Sequence, residues 1–336
     1  MSRGEESVDA GKIDARIGIV GLGQMGLQHA AILNHLTGKR VCVYDANERL
    51  INLTSRLTRG LCVHRSLEDM VTKEALDAVH VCTPTQTHFD TIKTLLEFKS
   101  THAIFVEKPL STDYQTAKLI CDLTGTDKYV TMVGFQKRFN GAYLKLKEII
   151  GSGVLGDIEF YRAHSFSADV MKRQDGWKFE PPYGGVVLDF GVHMLDMLAW
   201  LFGEPSVEYA VLRKLFSRTV EDYALVTLRH NGLEGSLEVG WSMRNYAPNE
   251  HLIEVHGAKG SAVVNDEELR LELDSGLNIY RASDLTAKVP YLLTYPEYTL
   301  EDAYFLEAVT EGHRVQPDFQ AGMAVNRLID QIKKGS

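Results

Sequence analysis

A glycine-rich turn set between a strand and a helix constrains this chain more than any other feature. Arg16-Ile-Gly-Ile-Val20 reads as a short buried strand and Leu27 to Leu36 as a helix, with Gly21-Leu-Gly-Gln-Met-Gly26 between them. The G-x-G-x-x-G spacing alone is weak, but squeezed between a strand and a helix it meets the structural context of the dinucleotide fingerprint. Gly21 permits the tight turn, Gly23 lets backbone approach a pyrophosphate, and Gly26 lets the helix pack on the strand. The phosphates would then lie at the positive N-terminus of the helix, cradled by a loop that also contains Leu22, Gln24 and Met25.

The following strand, Arg40 to Tyr44, ends in Asp45, about 20 residues past the fingerprint, where an acid hydrogen-bonds the adenosine ribose. A carboxylate there repels a 2'-phosphate, which favours NAD over NADP. Arg40 or Arg49 would hold that phosphate if the aspartate turned away, so NADP stays open. Strands at Leu61 to His64, Ala78 to Cys82, Ala103 to Val106 and Tyr129 to Gly134 alternate with helices at Asn47 to Leu57, Leu67 to Val71, Thr87 to Phe98 and Thr112 to Leu123. Such alternation predicts a doubly covered parallel sheet, with ligands bound beyond the carboxyl ends of its strands. Two of those ends are chemically unusual. One carries Thr83, Pro84, Thr85 and His88, the other Glu107 and Lys108 ahead of Pro109, which makes Thr83, Pro84, Thr85, His88, Glu107 and Lys108 candidate cofactor contacts. A lysine placed there can steady a developing alkoxide; it can equally be a surface lysine paired with Glu107.

A chain of 336 residues predicts two domains sharing a cleft, taken here as a polar tail (1–15), a dinucleotide-binding domain (16–136) and a second domain (137–336). The 44% hydrophobic and 24% charged content is that of a soluble globular protein, and a net charge of -9 argues against nucleic acid or an anionic membrane as partner. No apolar run reaches the roughly 20 residues of a membrane span, and Met-Ser-Arg-Gly-Glu-Glu-Ser has no apolar signal core, so a cytoplasmic location is expected. Cys42, Cys62, Cys82 and Cys121 lack C-x-x-C spacing and three of them fall in apolar strands. They read as small hydrophobes, with neither a disulfide frame nor a metal expected.

In the second half, Gly184 to Gly203 is an apolar helical segment interrupted by Asp189, His193 and Asp196. Helical spacing stacks the three on one face, and burying one such group unpartnered costs on the order of 2 to 7 kcal/mol. Histidine titrates nearest neutrality and a carboxylate one turn away can orient it, which suits proton transfer. Core bracing and a metal site made by these three residues fit the same spacing.

Taken together, the fingerprint, Thr83-Pro-Thr, Glu107-Lys-Pro, Gly134-Phe-Gln-Lys-Arg-Phe139 and Gly185-Val-Val-Leu-Asp-Phe-Gly-Val-His-Met-Leu-Asp196 resemble the Gfo/Idh/MocA oxidoreductases over nearly the whole chain. The resemblance implies a Rossmann domain followed by an α/β domain whose large, mostly antiparallel sheet forms the oligomer interface of a homodimer or homotetramer. It also implies an active site between the domains. There Lys108 meets substrate and nicotinamide, Pro109 follows a cis peptide, His193 accepts the alcohol proton and Asp189 orients it, while Asp196 supports the helix. Gln136 joins the cofactor contacts, and Arg138 and Trp177 join Lys108, Asp189 and His193 at the substrate. Two positions depart from the family pattern: Gly184-Gly185 stands where three glycines are frequent, and Gln136 where asparagine is common. Both bear on the choice of substrate rather than on the chemistry.

Beyond these motifs, a helix at Tyr143 to Ile150 precedes a strand at Ile158 to Ser165. Alternating runs at Tyr209 to Phe216, Tyr223 to Arg229, Leu233 to Trp241, Leu252 to His256, Ser261 to Asn265 and Leu269 to Leu273 predict an antiparallel sheet. A loop from Ser165 to Tyr183 carries Asp169, Lys172, Arg173, Asp175, Trp177 and Lys178; Trp177 would stack on a sugar face, and Lys172 or Arg173 would meet an anionic group. Helices at Leu300 to Glu311 and Phe319 to Ile332 close the chain, packing on the sheet or back on the first domain. The expected activity is hydride transfer between a nicotinamide and a secondary hydroxyl of a sugar, inositol or nucleotide-linked sugar. The alternatives are a non-catalytic NAD(P)-binding sensor or scaffold, and reduction of an imine or double bond.

Overall fold

The computed structural model describes residues 13–57, 60–99, 101–125, 128–171, 176–286, 289 and 295–335; most of the polar tail and Lys172, Arg173 and Asp175 lie outside them. The chain forms two compact units, one running to Gln136 and taking in 287–323, the other comprising 137–286 and 324–336.

Six strands build the first unit: β1 (Ile17–Val20), β2 (Val41–Tyr44), β3 (Leu61–Val63), β4 (Ala78–Val81), β5 (Ala103–Glu107) and β6 (Val130–Gly134). All pair in parallel, in the order β3-β2-β1-β4-β5-β6. This is the doubly wound order of dinucleotide-binding domains, with its switch point between β1 and β4. Helices cover both faces, so β1, β4 and β5 are buried along their whole length and are apolar except for His80 in β4 and Glu107 at the end of β5. The connecting helices are α1 (Gln24–Thr37), α2 (Glu48–Leu57), α3 (Leu67–Lys73), α4 (His88–Phe98) and α5 (Tyr114–Thr124). Local chemistry sets their ends. Ser66 Oγ accepts the Asp69 N–H at 2.9 Å to start α3, and Asp113 accepts the Thr116 N–H at 2.9 Å to start α5.

The second unit is built on an eight-stranded sheet. Its elements are α6 (Gly141–Ser152), β7 (Ile158–Phe166), α7 (Val192–Phe202), β8 (Ser206–Arg213), β9 (Tyr223–His230), β10 (Leu233–Gly240), β11 (Glu250–Gly257), β12 (Gly260–Asn265), β13 (Glu268–Leu273), β14 (Gly276–Arg281) and α8 (Ala282–Leu285). The strand order is β14-β13-β12-β11-β7-β10-β9-β8, antiparallel except for the β7–β10 pair. One face is buried and the other carries the half-exposed alternates of each strand, as in β9 and β11. Helix α9 (Pro296–Glu311) belongs to the first unit, and α10 (Phe319–Lys334) follows it. Among the described residues no helix is long and apolar enough to cross a membrane.

Three features differ from the sequence expectation. Strand β8 ends at Arg213 rather than Phe216, because the buried Asp222 carboxylate accepts the N–H groups of Leu215, Phe216 and Ser217 at 2.6, 2.7 and 2.8 Å and folds them into a turn. Strand β14 is additional; it is an exposed edge with no buried alternation to announce it. The polar stripe does not begin on an α-helix. Residues Val187–Gly191 form one π turn before α7 starts.

Candidate active site

The glycine turn has the shape its spacing demands. Gly21 has φ +100°, and a Cβ there would lie 2.6 Å from the Cys82 carbonyl oxygen; one on Gly26 would meet the Gly21 oxygen at 1.9 Å. Gly23 is the contrast. A Cβ built there meets nothing within 4 Å, so the backbone at the start of α1 faces open space. No side chain caps this helix, and its first N–H groups are available to an anion. Gly23 and Gln24 are exposed, Met25 is half-exposed, and Leu22 is buried with its N–H donated to Asp45 Oδ2 at 2.6 Å. Asp45 Oδ1 accepts the Asn47 N–H at 2.7 Å, which leaves one lone pair on each oxygen for ribose hydroxyls.

At the end of β4, Thr83 is half-exposed yet its Oγ1 is buried with no hydrogen-bond partner among the described residues. A bound ligand would satisfy it. These features of the turn, Asp45 and Thr83 fit a dinucleotide. Pro84 is exposed beside it and Thr85 is buried. His88 corrects the sequence reading: it is fully buried, with Nε2 2.9 Å from the Thr83 carbonyl and Nδ1 3.2 Å from that of Leu110. It ties two loops together instead of presenting an atom to a cofactor, and burial holds its pKa below the usual histidine value.

Glu107 is a second correction, since its carboxylate points inward. Oε1 lies 2.9 Å from His29 Nε2 and Oε2 accepts the Lys108 N–H at 3.1 Å. The Lys108–Pro109 peptide is cis, as the resemblance implied. The other nitrogen of His29 faces both oxygens of Asp302 at 2.9 Å, and His80 Nε2 stands 3.2 Å from Asp302 Oδ1. His29, His80 and Asp302 are completely buried. Burial by itself opposes charge on His29, but Asp302 and then Glu107 outweigh it and hold the imidazole well above its ordinary pKa. An imidazole bonded on both sides by carboxylates therefore fixes the turn that carries Lys108, in an environment that favours its protonated form. The signal was faint in sequence: His29 reads as a helix residue and Asp302 comes from distant α9.

In the second unit, every residue from Val186 to Leu198 is buried except Asp189, which is half-exposed. His193, one turn on, is 8% exposed, and its ring stands edge-on to His251 at 6.3 Å. His251 Nδ1 lies 2.7 Å from Ser165 Oγ. A π turn inside a helix is uncommon and frequently marks a functional site; here it carries Asp189 just ahead of His193. Asp196 sits at the bottom of the stripe, 1% exposed, and takes two bonds from Arg138 at 2.6 and 2.8 Å. Arg138 is the third correction. Its guanidinium donates from Nε and Nη2 to Asp196 and stacks 5.7 Å from the Trp200 ring, so it braces α7, a role the sequence reading had not given it. Burial raises the Asp196 pKa even against the Arg138 charge. Gln136 is half-buried ahead of Arg138, and Trp177 is half-buried in a single 3-10 turn.

Residues 15–135 match the family model for the oxidoreductase family with an NAD-binding Rossmann fold, and residues 143–263 match that for the GFO/IDH/MocA C-terminal domain. The chain belongs to the GFO/IDH/MocA oxidoreductase family. It is 28% identical over 334 residues to an inositol 2-dehydrogenase of Rhizobium meliloti (strain 1021), covering 94% of each chain. It is 31% identical over 193 residues to the scyllo-inositol 2-dehydrogenase (NAD(+)) of Bacillus subtilis (strain 168), covering 56% of this chain and 54% of that one. A structure of levoglucosan dehydrogenase in complex with NADH and levoglucosan shares the fold, with a TM-score of 0.85 at 24% identity, covering 96% of this chain and 98% of that one.

Proposed function

We propose that this GFO/IDH/MocA protein is an NAD-dependent dehydrogenase that interconverts a secondary hydroxyl and a ketone on a cyclitol or sugar ring. The observation that carries the reading is a buried imidazole, His193, one turn after Asp189, the half-exposed residue in the otherwise buried run from Val186 to Leu198. A bound nicotinamide would supply the hydride acceptor. An imidazole nitrogen of His193 takes the hydroxyl proton, Asp189 orients the substrate hydroxyl and the ring, and the Lys108 ammonium steadies the oxygen as negative charge develops. Gly23, the α1 N-terminus, Asp45 and Thr83 hold the dinucleotide, and Trp177 offers a face for the ring. Asp45 favours NAD. The naming of a relative matched over 94% of each chain for inositol supports a polyol over a charged substrate.

A panel of inositols, pyranoses and nucleotide sugars, each with NAD and NADP and followed by absorbance of the reduced cofactor, tests this reading. Turnover of an uncharged ring polyol with NAD ahead of NADP is expected. Cofactor binding with no turnover on any member would favour the sensor or scaffold reading instead.

The exposed face of the second unit's sheet supports the proposal of a homodimer or homotetramer. Register places Val211 opposite Leu225, and Ile279 opposite Arg270 and so in line with Val263, on the same outward face as Leu252. Apolar residues across so broad a face need cover, and a second copy of the chain is the usual one. Light scattering should give a mass of two or four chains; a monomer at micromolar concentration would rule out this interface.

A further inference from the structure

Strands β2 and β3 of the first unit, with the end of α3, gather four side chains that the reaction does not use. Cys42 on β2 stands in register with Cys62 on β3, so parallel pairing puts both sulfurs on one face of the sheet. His64 follows two residues after Cys62 and returns to that face, its N–H still bonded to the Val43 carbonyl at 2.9 Å. Glu74, at the C-terminal cap of α3, closes the group.

Their ligating atoms all lie within 4.8 Å of one another. Cys62 Sγ is 3.6 Å from His64 Nε2 and 3.7 Å from Glu74 Oε1, and His64 Nε2 is 3.3 Å from Glu74 Oε1. Zinc bond lengths at a tetrahedral angle give separations of about 3.6 Å for S···N, about 3.6 Å for S···O and about 3.4 Å for N···O. The match extends to the groups behind the ligands. Asp69 Oδ2 lies 3.1 Å from His64 Nδ1, which leaves Nε2 for a metal in the carboxylate–histidine arrangement common at zinc sites. Arg16 pairs with Glu74 Oε2 and leaves Oε1 facing inward. Two thiolates and one carboxylate carry three negative charges, which a divalent ion and Arg16 together balance.

We propose that Cys42, Cys62, His64 and Glu74 form a tetrahedral structural zinc site that staples the edge strand β3 and the end of α3 to β2. Two soft thiolates with an imidazole select zinc over the oxygen-seeking cations. All four positions are filled by protein, so the ion has a structural role, apart from hydride transfer. The signal escaped the sequence because the ligands come from neighbouring parallel strands, so the cysteines show none of the close spacing of a zinc ribbon.

The test uses the intact chain purified without chelator. Elemental analysis should find one zinc per chain, and replacement by cobalt should give thiolate-to-cobalt charge-transfer absorption with tetrahedral ligand-field bands. Asp69→Asn should weaken zinc affinity about 10- to 100-fold, as loss of the carboxylate behind a ligating histidine does elsewhere. Cys62→Ser should abolish the charge-transfer band or shift it. Should that variant fail to fold, the cobalt spectrum of the intact protein decides. Absence of stoichiometric zinc, together with no charge-transfer band when cobalt is added to the reduced protein, would overturn the site and leave a hydrogen-bonded thiol cluster.

Discussion

Replacing His193 with alanine should lower turnover by about 10² to 10⁴, the range lost with a positioned general base, while NAD binding is retained. The two effects separate because the side chain sits in the second unit and the dinucleotide turn in the first. His193 is 8% exposed on a helix whose neighbours Met194, Leu195, Met197 and Leu198 are all buried, so it works where water competes little for its proton. A purely structural histidine at this place would also lower activity, by loosening α7. The pH profile distinguishes the two. If the imidazole is the base, the acid limb of kcat/KM present in the parent disappears in the variant, whereas a loosened helix lowers the whole profile without changing its shape. Unchanged turnover on the substrate found by the panel would remove His193 from the mechanism.

The first unit was the more legible half, and the reason is local. A parallel strand buried on both faces is largely apolar, and a glycine turn joins it directly to a helix, so β1, the turn and α1 declare themselves from a short window of sequence. The second unit announced its sheet by alternation, but β8 ended early because Asp222, beyond the turn, captures three backbone N–H groups. No pattern within β8 reports that. The stripe of Asp189, His193 and Asp196 was visible as polar residues in an apolar helix, yet their different environments follow from partners far along the chain. Asp196 is taken up by Arg138, and the π turn at Val187–Gly191 leaves Asp189 half-exposed. The same holds for His88, Glu107 and Arg138. Each was read from its motif as a ligand contact, and each makes side-chain bonds that hold a loop or helix in place. A motif shows which residue types a site requires; which of them face the ligand depends on packing across separate segments.

The His29 cluster is where that packing has its largest expected consequence for stability. Removing one member of a buried ion pair leaves the others charged and desolvated, which costs about 3 to 5 kcal/mol, a large share of the roughly 5 to 15 kcal/mol that holds a domain folded. His29→Ala should lose about that much in urea unfolding, because it leaves the buried carboxylates of Asp302 and Glu107 without the imidazole between them. The milder His29→Gln keeps a donor but no charge and isolates the electrostatic part. The titratable groups facing the ring are Asp302 and Tyr298 from α9, Glu107 from β5 and His80 from β4. His29 is raised well above 6.5 when folded, so the native state holds its proton where the unfolded chain has released it. Its contribution is therefore fully present below about pH 6.5 and declines as pH rises toward the folded pKa, with a slope of up to about 1.4 kcal/mol per pH unit. Asp302, lowered because His29 outweighs its burial, acts at the other end: its contribution is lost only as pH falls through its folded pKa, below 3.8. His80 is lowered by burial and opposes His29 near neutrality, but it is common to parent and variant and cancels to first order in their difference. The parent should accordingly lose stability relative to His29→Gln as pH climbs above 6.5. Parallel curves for the two proteins across that window would mean that His29 is neutral in the folded state, and that the turn carrying Lys108 is held by an uncharged hydrogen bond to Glu107.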